Sequence, residues 1–268
     1  MSDLERNLAP IPASVWDEID AEASRVLRLQ MAARKLVDFR GPKGWDFSAL
    51  ALGRAKRLEA GPVAGVESRL RQVQPLVELR VPFTVEREEI DAAARGAEDA
   101  DWTPLIEAAE RLAHAEDRAV FDGFEAAGIR GLARHGAHAP VALGEDVAAF
   151  PRAVTEAIET LRGAGIDGPY AIALGPRYAA ALRETTDAGG HPVFRHVERL
   201  LGGPDIWAPT LEGAVVLSLR GGDFQLVSGR DPSIGYEGHD ATQIRLYLEE
   251  SFTFRLLGPE AAVLLRPH

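Results

Sequence analysis

Residues 215–265 constrain this chain most, because run after run there follows a two-residue apolar period that only extended backbone can use. Val215, Leu217 and Leu219 alternate into a turn at Arg220, Gly221, Gly222 and Asp223, and Phe224, Leu226 and Val227 lead out of it. The two glycines can take the positive φ that a tight hairpin requires. A second run, residues 243–257, carries Ile244, Leu246 and Leu248, then Phe252, Phe254 and Leu256. The polar break at residues 249–251 reads as a one-residue phase change and predicts a bulge. Residues 261–265 are apolar almost to the end of the chain, so the C-terminus is expected to be fastened into a sheet. Everything upstream must supply the faces on which these strands pack.

Those faces are legible. After a short arm, Ser14 can cap a helix in which Val15, Ile19, Ala23, Val26 and Gln30 recur at spacings of three and four, with Trp16 and Leu27 widening the stripe. Residues 41–45 (Gly-Pro-Lys-Gly-Trp) break it, and residues 47–72 read as a hairpin turning at Gly61 and Pro62. That ribbon has little core of its own and must lie on something. Val77, Leu79, Val81, Phe83 and Val85 share one strand face, and Pro82 marks an edge or a bulge. A short helix at residues 86–95 ends at Gly96. Thr103 and Pro104 open a long helix with Leu105, Ala109, Leu112, Ala119 and Phe124 along one stripe, closing near Gly128. Its adjacent Glu116 and Asp117 read as helix surface charge, since neighbours on a helix point in different directions and make a poor acid–base pair. His135 and His138 fall in a Gly- and Ala-rich stretch read as an exposed loop between domains, with too few ligands for a metal site. Residues 151–163 and 177–183 read as helices flanking a strand at 171–174, a compact α/β lobe.

Composition narrows the function. At 268 residues and 46% hydrophobic content the chain can build a large core, and its zero cysteines exclude disulfides, thiolate metal sites and a cysteine nucleophile. A net charge of −11 argues against a nucleic-acid partner, because phosphate binding depends on Lys and Arg displacing counterions. No apolar stretch approaches the roughly 20 residues that span a bilayer, and the polar start does not look like a signal peptide, so no membrane partner and a cytoplasmic location are expected. There is no Gly-x-Ser-x-Gly elbow, His-Glu metallopeptidase pair, phosphate-binding loop or dinucleotide fingerprint, so the chain is not expected to be an enzyme or to hold a cofactor.

Residues 220–224 (Arg-Gly-Gly-Asp-Phe), 231–236 (Asp-Pro-Ser-Ile-Gly-Tyr) and 250–254 (Glu-Ser-Phe-Thr-Phe), in that order, resemble the closing blocks of encapsulin shell proteins. Further blocks at 8–10, 34–38, 75–84, 116–123 and 168–170 extend the resemblance over nearly the whole length. It implies an α+β, tailed-phage major capsid protein-like fold. The implied segments are an N-terminal arm, inner-surface helix and start of a peripheral domain (1–45), an extension-loop hairpin (46–74), and a peripheral domain with spine helix (75–134). An axial domain (135–219) and a return to the peripheral sheet (220–268) complete them.

The same resemblance implies a self-assembling icosahedral nanocompartment, a homo-oligomer enclosing a cargo enzyme captured through that enzyme's C-terminal targeting peptide. Arg34, Leu36, Asp38, Phe39 and Ile234 are the cargo-peptide candidates. Arg34 beside Asp38 offers a donor fork and an acceptor for an extended peptide, or else a local salt bridge. The 185–192 loop, flexible by composition, corresponds to a fivefold vertex, where Asp187, Gly189, Gly190 and His191 would line a pore admitting small molecules. Residues 81–132 look nearest to shells whose cargo is a dye-decolourising peroxidase, with a ferritin-like protein as the other guest. Some encapsulins hold a flavin against a tryptophan near residues 87–89; Arg87, Glu88 and Glu89 stand there instead, which argues against flavin. A prophage capsid protein and a hydrolase or protease are the competing readings. The acidic balance and short N-terminus disfavour the first, and the missing motifs the second.

Overall fold

The computed structural model of the chain describes residues 4–144, 147–187 and 189–267. The first long element, α1 (Ala13–Gln30), buries Val15, Trp16, Ile19, Ala23, Val26, Leu27 and Gln30, the stripe its spacing predicts. It begins at Ala13, with Pro12 and not Ser14 at the cap position. Next come β1 (Asp38–Arg40) and the antiparallel ribbon of β2 (Ala49–Arg57) and β3 (Arg69–Pro75). β4 (Val77–Glu86) then leads into α2 (Arg87–Ala94).

The spine, α3 (Thr103–Phe121), is 19 residues long and stops well before Gly128. Phe124 therefore leaves the expected stripe: it lies in β5 (Gly123–Phe124), paired with β6 (Ile129–Arg130), with its ring exposed. Thr103 is the first helical residue, and Trp102 occupies the cap position. After α4 (Leu132–His135) and β7 (Val141–Leu143) come α5 (Phe150–Gly163), β8 (Tyr170–Leu174), α6 (Pro176–Glu184), α7 (Val193–Leu201) and β9 (Gly202–Trp207). β10 (Ala214–Ser218), β11 (Phe224–His239), β12 (Gln243–Leu256) and β13 (Ala262–Pro267) close the chain. His135 is half-buried at the end of α4, and a ring nitrogen of His138 lies 2.8 Å from the Glu260 carbonyl, so neither belongs to an exposed loop.

Two sheets organise these elements. One has the order β1-β11-β12-β4, with β4 and its Pro82 at the edge; the other has the order β7-β13-β10-β8-β9. The closing fifty residues are thus divided between sheets. β10 pairs with β8 and β13, while β11 pairs with β12 and β1, so Arg220–Asp223 is a crossing between sheets and not a hairpin. Gly221 and Gly222 do take positive φ, 81° and 85°, which reverses the chain at that crossing. β13 fastens the C-terminal end into the five-stranded sheet, between β7 and β10.

The expected bulge in β12 is absent. Its register with β4 is continuous from Gln243 to Phe252, because Ile244, Leu246, Leu248, Phe252 and Phe254 all share one parity. The irregularities lie in β11, between Ser228 and Arg230, Arg230 and Ser233, and Tyr236 and Gly238. One face of β12 therefore serves two cores. Ile244, Leu246 and Leu248 pack with α1, α2 and the first half of α3; Phe252 and Phe254 pack with the end of α3, the second sheet and α5–α7. Between them the same face presents Glu250, fully buried.

Candidate functional site

The junction of the two cores is charged. Glu116 stands at the same helical phase as Leu105, Ala109, Leu112 and Ala119, so the turn that directs those residues inward directs it inward too. Glu116 and Asp117 are both fully buried, which overturns their reading as surface charge. They do diverge, as adjacent helical residues must. Asp117 accepts the backbone N–H groups of Ala32 (2.9 Å) and Ala33 (2.9 Å), fixing the 3-10 turn Ala33–Lys35 that follows α1. Glu116 accepts the Arg34 guanidinium through Nε (2.8 and 2.9 Å) and Nη2 (2.6 Å). The same guanidinium reaches Glu250 at 3.1 Å and Asp231 at 2.6 Å.

One arginine thus joins the turn after α1 to α3, β11 and β12. Burial pushes the Asp117 carboxyl up to about 7, against the pull of its two backbone donors. Burial, together with the adjacent Glu116 charge, holds Glu250 well above the ordinary carboxylate range. Glu250 Oε1 is buried without a hydrogen-bond partner among the described residues, which a neutral carboxyl tolerates better than a charged one. On the opposite face of β12, Glu249 receives Arg230 (2.9 Å) and also pairs with Arg80.

The five cargo-peptide candidates do not converge on one groove. Arg34 makes no local salt bridge with Asp38, because the chain leaves helical geometry after Lys35 and the two side chains diverge. Asp38 instead accepts the Gly222 N–H at 2.6 Å, pinning β1 to the crossing turn. Leu36 is buried in one core and Ile234 in the other. Leu36 and Asp38 border a shallow cleft of about 130 Å³, walled by Lys35, Leu219 and Phe224. Phe39 is 37% exposed and lies under the Arg34 guanidinium, 4.8 Å from ring centroid to carbon, so those two form a separate aromatic–cation surface.

The pore candidates are held more tightly than their composition implies. A β-bridge between Thr186 and Pro192 closes the loop. Inside it Asp187 Oδ1 accepts the N–H groups of Gly189 (2.8 Å) and His191 (2.9 Å), and Oδ2 lies 3.0 Å from His196 Nε2. The His191 backbone donor first, and the His196 contact after burial's opposing effect, lower the Asp187 carboxyl to about 2. Asp187 is an internal tie of the loop. His191, with its side chain 74% exposed, is the group the loop offers outward. Sequence reading missed Glu116 and Glu250, although both carried a signal: a charge at an inward position of a periodic apolar pattern.

Among the described residues no helix is long and apolar enough to cross a membrane. The fold matches a virus-like particle from Pyrococcus furiosus with a TM-score of 0.66 at 14% identity, covering 95% of this chain and 100% of that one. It also matches the Gordonia phage Cozz structure with a TM-score of 0.56 at 14% identity, covering 89% and 87%. These likenesses establish a tailed-phage capsid-like fold and nothing finer. In sequence, a family model described as encapsulating protein for peroxidase matches residues 1–253. The type 1 encapsulin shell protein of Rhodospirillum rubrum is 55% identical over 271 residues, covering 99% of this chain and 97% of that protein. The chain belongs to the encapsulin shell proteins. Encapsulin shell proteins of Rhodococcus erythropolis (46% identity, 99% of this chain, 100% of that one) and Mycobacterium tuberculosis (43%, 99% and 99%) agree over the full length. As an encapsulin, the chain is a structural component of a capsid-like nanocompartment and not an enzyme. The prophage capsid and hydrolase readings give way to that.

Proposed function

We propose that this encapsulin closes into an icosahedral shell in the cytoplasm, encloses a cargo enzyme captured by that enzyme's C-terminal peptide, and meters small molecules through pores. The observation that carries the reading is the family match over residues 1–253, whose description names a peroxidase as the encapsulated protein. A dye-decolourising peroxidase is the expected guest, with a ferritin-like protein as the alternative. Mass spectrometry of whatever copurifies with the particles tests this. A heme peroxidase supports the reading, and particles that never carry a second protein contradict it.

The cargo surface is best supported around Phe39 and the Arg34 guanidinium, with the cleft at Leu36 and Asp38 beside it. An apolar peptide with a few polar contacts would bury Phe39 and meet a cation. Phe39→Ser should keep particle size and cut capture of a tail-fused reporter several-fold; undiminished capture would remove this surface from consideration. For the pore, His191 is the residue to alter, because Asp187 holds its own loop together. His191→Glu should slow entry of an anionic dye, and an unchanged rate would count against a pore at this loop.

A further inference from the structure

A second polar cavity lies away from the Arg34 junction, where the end of α3, α4, the loop between β9 and β10, and β13 meet. Its volume is about 420 Å³, within the range of small-molecule clefts. Three arginines distant in sequence, Arg118, Arg134 and Arg266, line it together. All three side chains are exposed, and none of the three guanidinium groups makes a hydrogen bond or ion pair with a described residue, in contrast to those of Arg34, Arg220 and Arg230. Thr210 also borders it, with its Oγ1 closed off from solvent and so from the cleft.

The remaining charged walls are Asp122 and Glu212, so three guanidinium groups face two carboxylates, a surplus of one positive charge in a chain of net charge −11. Burial raises the Asp122 carboxyl above its usual value, with the charges of Arg118 and Arg134 opposing and that of Glu212 reinforcing the shift. Raising that value weakens the negative wall as pH falls. Guanidinium forks match oxyanions in geometry as well as charge, and three forks around one space suit a group with several terminal oxygens.

We infer that this cavity is a binding site for a phosphate-class oxyanion, held by the guanidinium groups of Arg118, Arg134 and Arg266. The ligand is inorganic phosphate or the phosphate group of a small ester, since both present the same oxygens. The test is calorimetric titration of assembled particles, in chloride buffer at fixed ionic strength, with inorganic phosphate in one arm and glycerol 3-phosphate in the other. Saturable binding near one per subunit is expected, and the arm that binds tighter identifies the source. Each guanidinium removed should weaken binding by about tenfold or more. The Arg134→Gln/Arg266→Gln variant should therefore lose binding while keeping particle size, and Arg199→Gln on α7 should bind as the parent does. No saturable heat in the parent, or equal affinity in the double variant, overturns the site. Loss of particles in the double variant also overturns it, because the arginines would then belong to a contact between copies.

Discussion

The molecule contains two antiparallel ribbons of opposite fate. In β11–β12 nearly every residue on the core-facing side is buried, because α1 and α3 cover one end and the second sheet, with its helices, covers the other. In β2–β3 almost nothing is: Leu70 is 59% exposed and Val73 54%, and Leu58, Val63 and Val66 near the tip are exposed as well. Both ribbons are written in extended-chain residues, and only one finds its cover within the chain. A two-stranded ribbon alone is marginal in water. The difference is that intramolecular packing finishes one ribbon and leaves the other exposed; we propose that another copy covers it, as a shell subunit would require.

The harshest way to break this comparison is to delete the exposed ribbon. Replacing residues 49–75 with a short Gly-Ser linker should abolish particles by light scattering while leaving a folded monomer by circular dichroism. An unfolded product, or intact particles, would erase the distinction. The next largest effect belongs to the buried ribbon. Arg34→Ala leaves Glu116 and Glu250 without their cation and should cost about 3–5 kcal/mol in denaturant unfolding. Arg34→Met combined with Glu116→Leu and Glu250→Leu should recover most of that, because the loss comes from stranded charge more than from missing contacts.

A smaller effect follows from protonation. Asp117, raised to about 7 by burial, and Glu250, raised well above the usual range by burial and by Glu116, bind protons more tightly folded than unfolded. Their contribution is therefore complete below the unfolded values near pH 4 and is lost as pH rises through the folded ones. For Asp117 the window runs from about pH 4 to about 7. Subunit stability measured between pH 5 and pH 8 should include a declining component. Glu250→Gln should make it shallower, leaving the Asp117 part, since the amide keeps the shape but does not titrate; an unaltered slope would contradict a contribution from Glu250. Smallest is Leu70→Ser with Val73→Ser, exposed in the single subunit. It should change subunit unfolding by less than about 0.5 kcal/mol while raising the concentration needed for assembly.

The α1 stripe, the edge strand with Pro82 and the fastened C-terminus were legible because periodicity registers burial whatever provides it. Less legible were the partners. Arg220–Asp223 resembles a hairpin turn locally, and only tertiary structure sends its two arms to different sheets. The run 244–256 looked phase-shifted because Glu250 occupies a core-facing position, and a charge there masks a parity that never changes. Arg34 and Asp38 are four apart in sequence, yet the chain turns extended between them. At the candidate cargo surface, sequence reading named five residues and the fold brings them together only in pairs, Arg34 with Phe39 and Leu36 with Asp38, leaving Ile234 in the other core.

The central claim is that the exposed ribbon and the surfaces around it are completed by copies of the same chain. Purified protein at micromolar concentration, measured by light scattering and imaged by negative-stain electron microscopy, tests this most directly. Uniform closed particles of megadalton mass are predicted, and a monodisperse 28.9 kDa monomer with no particles would contradict the account.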